Sequence, residues 1–84
     1  MKRIGVVGIV ISNPQVSSIE VQNILSDFSD IIIGRMGIPD LEHNIGTVSV
    51  TVKGSNERIS ALTGRLGRVQ GVNVKSALTK VVTE

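Results

Sequence analysis

The sequence predicts a ferredoxin-like α+β sandwich, a βαββαβ chain whose four-stranded antiparallel sheet carries two helices on one face. Three observations predict it. Ile4 to Ile11 is apolar at both alternating sets of positions, with Ile4, Val6 and Val10 on one face and Val7, Ile9 and Ile11 on the other. That is the pattern of a strand central in its sheet and covered on both sides. Thr47 to Val52 alternates strictly, Val48, Val50 and Val52 against Thr47, Ser49 and Thr51, the period of a strand with one buried face. Segments of helical period separate the strands, giving the order strand, helix, strand, strand, helix, strand. Two strand–helix–strand units with right-handed crossovers close into this sandwich, with the first and third strands central.

The elements follow in chain order. Gly5 and Gly8 thin the first strand, and Ser12-Asn13-Pro14-Gln15 ends it. Asn13 can cap a helix, and Pro14 suits the first helical position, where no amide hydrogen is needed. The first helix runs from about Pro14 to Phe28, with Val21, Ile24, Leu25 and Phe28 as its buried stripe. Val16 and Ile19 fall off that stripe, either as isolated exposed residues or as contacts for a partner. The second strand spans Asp30 to Pro39, and its proline and paired glycines suit an edge or a bulge. Asp40-Leu41-Glu42-His43-Asn44 is a hairpin loop leading to the third strand.

Ser55 or Asn56 is the expected N-cap of the second helix. Its apolar face is Ile59, Leu62, Leu66 and Val69, and Gly71 stands where a left-handed C-terminal cap is expected. The last strand runs from about Val72 to Val82. Gly64 and Gly67 lie inside the second helical pattern. Each costs about 1 kcal/mol relative to alanine, so something is expected to pack close to this backbone.

Composition narrows the function. The chain has 84 residues, which allows one domain, 1–84, with a modest core. With 40% hydrophobic and 19% charged residues it is a folding chain. It has no cysteine, which excludes disulfides, zinc–thiolate sites and thiol chemistry. A net charge of +2 is too small to argue for nucleic acid or an anionic membrane. Phe28 is the only aromatic residue, so the stacking platform of single-strand binders is missing. The first apolar run reads as a strand and not a signal peptide, and no run approaches a membrane span. A cytoplasmic protein is expected.

No catalytic constellation stands out. His43 is the only histidine, beside Asp40 and Glu42 in a loop, and reads as solvated. Asp27 and Asp30 flank Phe28 and read as solvating the helix end; Ser12, Ser17 and Ser18 read as caps, not nucleophiles. The spacing Gly64-x-x-Gly67-x-x-x-Gly71 is not a phosphate loop, because such a loop follows a strand and opens a helix. Ser60, Gly64 and Gly67 share one side of the helix, either for structural packing or as a small-residue groove for a partner or flat ligand. Arg58, Arg65 and Arg68 lie on a further side, as a solvated face or a surface for an acidic partner. Arg35 falls inside an apolar strand, where a charge sits on an edge or answers an anionic ligand. The open sheet face needs a cover, and a second copy of the chain is the simplest one. The alternative is a wet surface built from Gly5, Ile9 and the Thr/Ser face.

Leu62-Thr63-Gly64-Arg65-Leu66-Gly67 followed by Gly71-Val72-Asn73-Val74-Lys75, with Phe28-Ser29 and Arg35-Met36-Gly37-Ile38-Pro39, carries a resemblance. Over nearly the whole chain these residues resemble the iron-only hydrogenase system regulator family, which is similar to ACT regulatory domains and to the nickel-sensing domain of nickel-responsive repressors. The resemblance implies a homodimeric cytoplasmic protein, open to higher assembly, associated with hydrogenase maturation. Nickel sensors use several histidines and a cysteine where this chain has only His43 and Gly46, so no metal is implied. The first turn lacks the glycine of amino-acid-binding ACT domains, and it does not supply the anion loop of an acylphosphatase-like enzyme.

The expected protein is thus a non-enzymatic regulator or sensor without a cofactor, binding neither nucleic acid nor membrane directly. It would take a small-molecule effector or a protein partner at the dimer junction. The ligand residues expected are Asn13, Arg35, Gly64 and Gly67. The second reading is a ligand-free scaffold for a hydrogenase maturation protein, acting through Arg58, Arg65 and Arg68.

Overall fold

A computed structural model describes residues 1–84 as six elements in the expected order. They are β1 (Lys2–Ile11), α1 (Pro14–Asp27), β2 (Ile32–Asp40), β3 (Ile45–Gly54), α2 (Asn56–Gly67) and β4 (Val72–Thr83). The strands form one antiparallel sheet in the order β2-β3-β1-β4, so β1 and β3 are central and the arrangement is ferredoxin-like.

The alternation of β3 and β1 positions the core. Val7 lies opposite Val50 and Ile9 opposite Val48 in the β1–β3 register, and directly opposed residues of an antiparallel pair share a face. That face meets Val21, Ile24 and Leu25 of α1 and Ile59, Leu62 and Leu66 of α2 in one buried cluster. Burying each such aliphatic side chain contributes about 1.5–3 kcal/mol. Ile9 and Gly5 are therefore on the helix side and not on the open face where a wet surface was expected to include them. The open face carries Ile4, Val6, Gly8 and Val10 of β1. Registered with them are Thr47, Ser49 and Thr51 of β3, Met36 and Ile38 of β2, and Asn73, Lys75 and Ala77 of β4.

Local chemistry explains where the boundaries differ from expectation. β2 begins at Ile32 because Phe28–Ile31 form a turn, closed by the Ile31 amide donating to Phe28 O at 3.0 Å. Ser55 is the N-cap of α2, its hydroxyl accepting from the Arg58 amide at 3.2 Å. Asn13 occupies the N-cap of α1 but its side chain makes no capping bond; only its carbonyl accepts, from the Val16 and Ser17 amides. α2 stops at Gly67, and a turn through Val69 and Gly71 returns the chain to the sheet. Gly71 has φ +79°, the left-handed conformation that favours glycine.

Candidate functional site

α2 has two unlike flanks on either side of its buried stripe. Along a helix of 3.6 residues per turn, Arg58 and Arg65 fall on one flank, and Ser60, Thr63, Gly64 and Gly67 on the other.

The arginine flank faces α1. Arg58 Nη2 lies 2.6 Å from Asp30 Oδ1, and Arg65 Nη2 lies 3.0 Å from Asp27 Oδ2. Both guanidiniums sit over the Phe28 ring, 4.5 Å and 5.5 Å from its centroid. Asp27 and Asp30 are thus ion-pair partners and not merely solvating residues. The signal was present in the sequence: two carboxylates bracketing an aromatic, and two arginines seven residues apart on a helix. Two of the three arginines expected to form a partner face are engaged within the chain, and Arg68 is exposed.

The small-residue flank faces the outer edge of β4. Ser60, Thr63, Gly64 and Gly67 form one wall of an open groove of ≈ 560 Å³, and Val72 to Ser76 of β4 form the other. A Cβ placed on Gly64 or Gly67 would meet nothing within 4 Å. The close packing expected against these glycines therefore does not come from this chain. Each keeps its helix-propensity cost of about 1 kcal/mol with no compensating contact in the protomer.

The other expected ligand residues lie elsewhere. Asn13 is in the β1–α1 turn. Arg35 is on β2, the opposite edge of the sheet from β4, beside Leu25, Ser29 and Ile32 at a notch of ≈ 180 Å³. Neither lines the groove of Gly64 and Gly67: Arg35 is at the far edge of the sheet, while Asn13 follows Ser12, whose amide donates to the Gly71 carbonyl at 2.8 Å at the end of the groove. His43 Nδ1 lies 3.0 Å from Asp40 Oδ2, with both side chains exposed, and no three His, Asp or Glu side chains converge. Ser17, expected as a cap, is buried, and its hydroxyl donates to Gln70 O at 2.8 Å, tying α1 to the turn after α2. No helix is long and apolar enough to cross a membrane.

Comparison with known proteins places this geometry. TM1266 of Thermotoga maritima, an uncharacterized protein of known structure, superposes with a TM-score of 0.91 at 34% identity, over 95% of this chain and 100% of that one. An unknown protein from Galdieria sulphuraria matches at 0.64 and 16% identity, over 99% of this chain and 48% of that one. A formyltetrahydrofolate deformylase from Pseudomonas putida KT2440 matches at 0.62 and 9% identity, over 88% of this chain and 28% of that one. The last two likenesses show the fold alone. No curated protein matches the chain significantly. The TM1266-like family model, described as "Iron-only hydrogenase system regulator, putative", matches residues 3–76. Because that model spans most of the chain and the Thermotoga maritima protein matches it over nearly its full length, the chain belongs to the TM1266-like, iron-only hydrogenase system regulator family.

Proposed function

We propose that the chain is a non-enzymatic, cytoplasmic regulatory domain that works as a homodimer through its open sheet face and recognises a ligand or protein in the groove between α2 and β4. The observation that carries the reading is the empty space over Gly64 and Gly67. Two helix-weakening residues on adjoining turns, with nothing of the chain against them, favour an object from outside that approaches the helix backbone. The dimer is supported by the exposed Val6 and Val10 of β1 and Met36 and Ile38 of β2, which flank the Thr47, Ser49 and Thr51 row of β3 on the open sheet face, since apolar surface left uncovered on a sheet face favours an interaction surface. Membership of a regulator family supports a role without catalysis. Scaffolding through the arginine face has less support, because Arg58 and Arg65 already have partners.

Native mass spectrometry of the protein purified gently from cells tests this. The expected species is at least a dimer, and a ligand would add a defined mass to it. Gly64→Leu with Gly67→Leu should remove that added mass or the co-purifying partner while the circular dichroism spectrum stays that of the folded chain. A bare monomer, or a complex indifferent to both substitutions, would overturn the proposal.

A further inference from the structure

Beyond Ile32, β2 is left bare by both helices: every residue from Ile33 to Asp40 is exposed. An open trough runs between this strand and α1. Ser18, Gln22, Leu25 and Ser29 follow one another at helical steps along one side of α1 and form its upper wall. At one end Gly37, Gly46, Ile11 and Pro14 line a hollow of ≈ 310 Å³ beside Ser18 and Gln22. At the other end Arg35 borders the notch of ≈ 180 Å³. Arg35 is the only charged residue lining either one, and it makes no ion pair. A Cβ on Gly37 would meet only Thr47 O, at 3.9 Å. A glycine inside a strand weakens it and often marks a place where a ligand or another backbone comes close.

The backbone of this edge is also available, over a short window. β2 and β3 stay in register from Gly34 opposite Thr51 to Asp40 opposite Ile45. Pro39 has no N–H to give to β3, so the backbone at Pro39 is turned outward. Residues of an antiparallel strand alternate between bonding the partner strand and facing away from it. Gly37 and Arg35 therefore present both N–H and C=O at the free edge. Gly37 is opposite Val48 and Arg35 opposite Val50, so both positions belong to the helix side of the sheet. The register shift between Ile32 and Gly34 bounds the window at one end and Pro39 at the other, which keeps a long strand from adding here.

We infer that this trough binds a short extended peptide of a protein partner, paired antiparallel with β2 and carrying an aliphatic residue two positions before an aspartate or glutamate. The peptide residue opposite Gly37 places its side chain on the helix side, in the hollow that Gly37 leaves open. Two residues later the peptide is opposite Arg35, where a carboxylate meets the unpaired guanidinium. Main-chain bonds to a strand edge supply affinity, and pockets for alternate side chains supply selectivity. A ligand confined to the hollow would leave the edge amides and Arg35 without partners, whereas an extended peptide engages all of them. The site is separate from the α2 groove, because β2 and β4 are opposite edges of the sheet.

A phage-displayed library of random octapeptides, selected on the immobilised wild-type chain, tests this. The expected consensus is an aliphatic residue, any residue, then Asp or Glu. Synthetic consensus peptides are then titrated by fluorescence anisotropy. Gly37→Val fills the hollow without crowding the chain, so it should stay folded by circular dichroism and weaken binding by at least about tenfold. Arg35→Glu should reverse the charge preference, so that a peptide with lysine at the acidic position binds more tightly than the parent peptide. Gly64→Leu with Gly67→Leu should leave the affinity unchanged. The inference is overturned if selection yields no such consensus, or if the consensus peptide binds the wild type, Gly37→Val and Arg35→Glu alike. Peptides that lose binding in the Gly64 and Gly67 variant and keep it in Gly37→Val would also overturn it, and would leave the reading of the α2 groove standing.

Discussion

Phe28 is held by charge as well as by apolar contact. It is 3% exposed, with two guanidiniums over its ring and a carboxylate behind each. Phe28→Ala should cost about 3–5 kcal/mol in urea denaturation, through the cavity it leaves. Arg58→Gln should cost only about 1 kcal/mol, and less at high salt, because both partners of its pair are well exposed. The glycines divide in the same physical way. A Cβ on Gly5 would lie 2.6 Å from Leu78 Cδ2 and 2.8 Å from the Ala77 carbonyl oxygen. Backbone cannot yield there, so Gly5→Ala should destabilise by about 1–3 kcal/mol. Gly64→Ala opens onto empty space and should stabilise the dilute, dissociated chain by about 0.5–1 kcal/mol. Changes of opposite sign in denaturation midpoint would separate the packed glycine from the unpacked one. The sequence shows both only as glycines in regular elements; which one is crowded depends on what lies across the sheet.

The two helices begin alike in sequence and differently in structure. Ser55 caps α2 through its hydroxyl, whereas the Asn13 side chain makes no capping bond to α1. Ser55→Ala should therefore cost about 1 kcal/mol, and Asn13→Ala less than half of that, measured by thermal or urea unfolding of each variant. Pro14 at the start of α1 supplies the local order that the missing cap does not. The ends of elements were the least legible part of the sequence. The Ile59, Leu62, Leu66 and Val69 stripe continues past Gly67, but Val69 reaches the core from the turn. An apolar period records which side chains are buried and does not record whether the backbone carrying them is still helical.

For the whole molecule, sheet order sets what is left uncovered. Helices on one face leave Val6 and Val10 at 47% and 40% exposure on the other, with Met36 and Ile38 exposed two strands away across β3. Because Val6 and Val10 already face water in the single chain, replacing both by lysine should leave urea stability within about 0.5 kcal/mol while lowering the mass seen by light scattering. A fall in stability without a fall in mass would mean that this face closes no interface. Phe28 and the arginine latch set how α1 meets α2, which in turn leaves the small flank of α2 turned outward over β4.

The sequence by itself determined the order of elements, the central strands, the second-helix flanks and the left-handed turn at Gly71. Each is written in local period and residue type, and each was legible without a neighbour. Only the tertiary structure decided that Arg58 and Arg65 are latched to Asp30 and Asp27, and that Arg35 stands on the sheet edge opposite the groove. It also decided that a side chain at Gly64 or Gly67 would meet no other segment of the chain. These are facts about distances between segments far apart in sequence, and they exist only once the sheet order has brought one edge beside α2 and carried the other away.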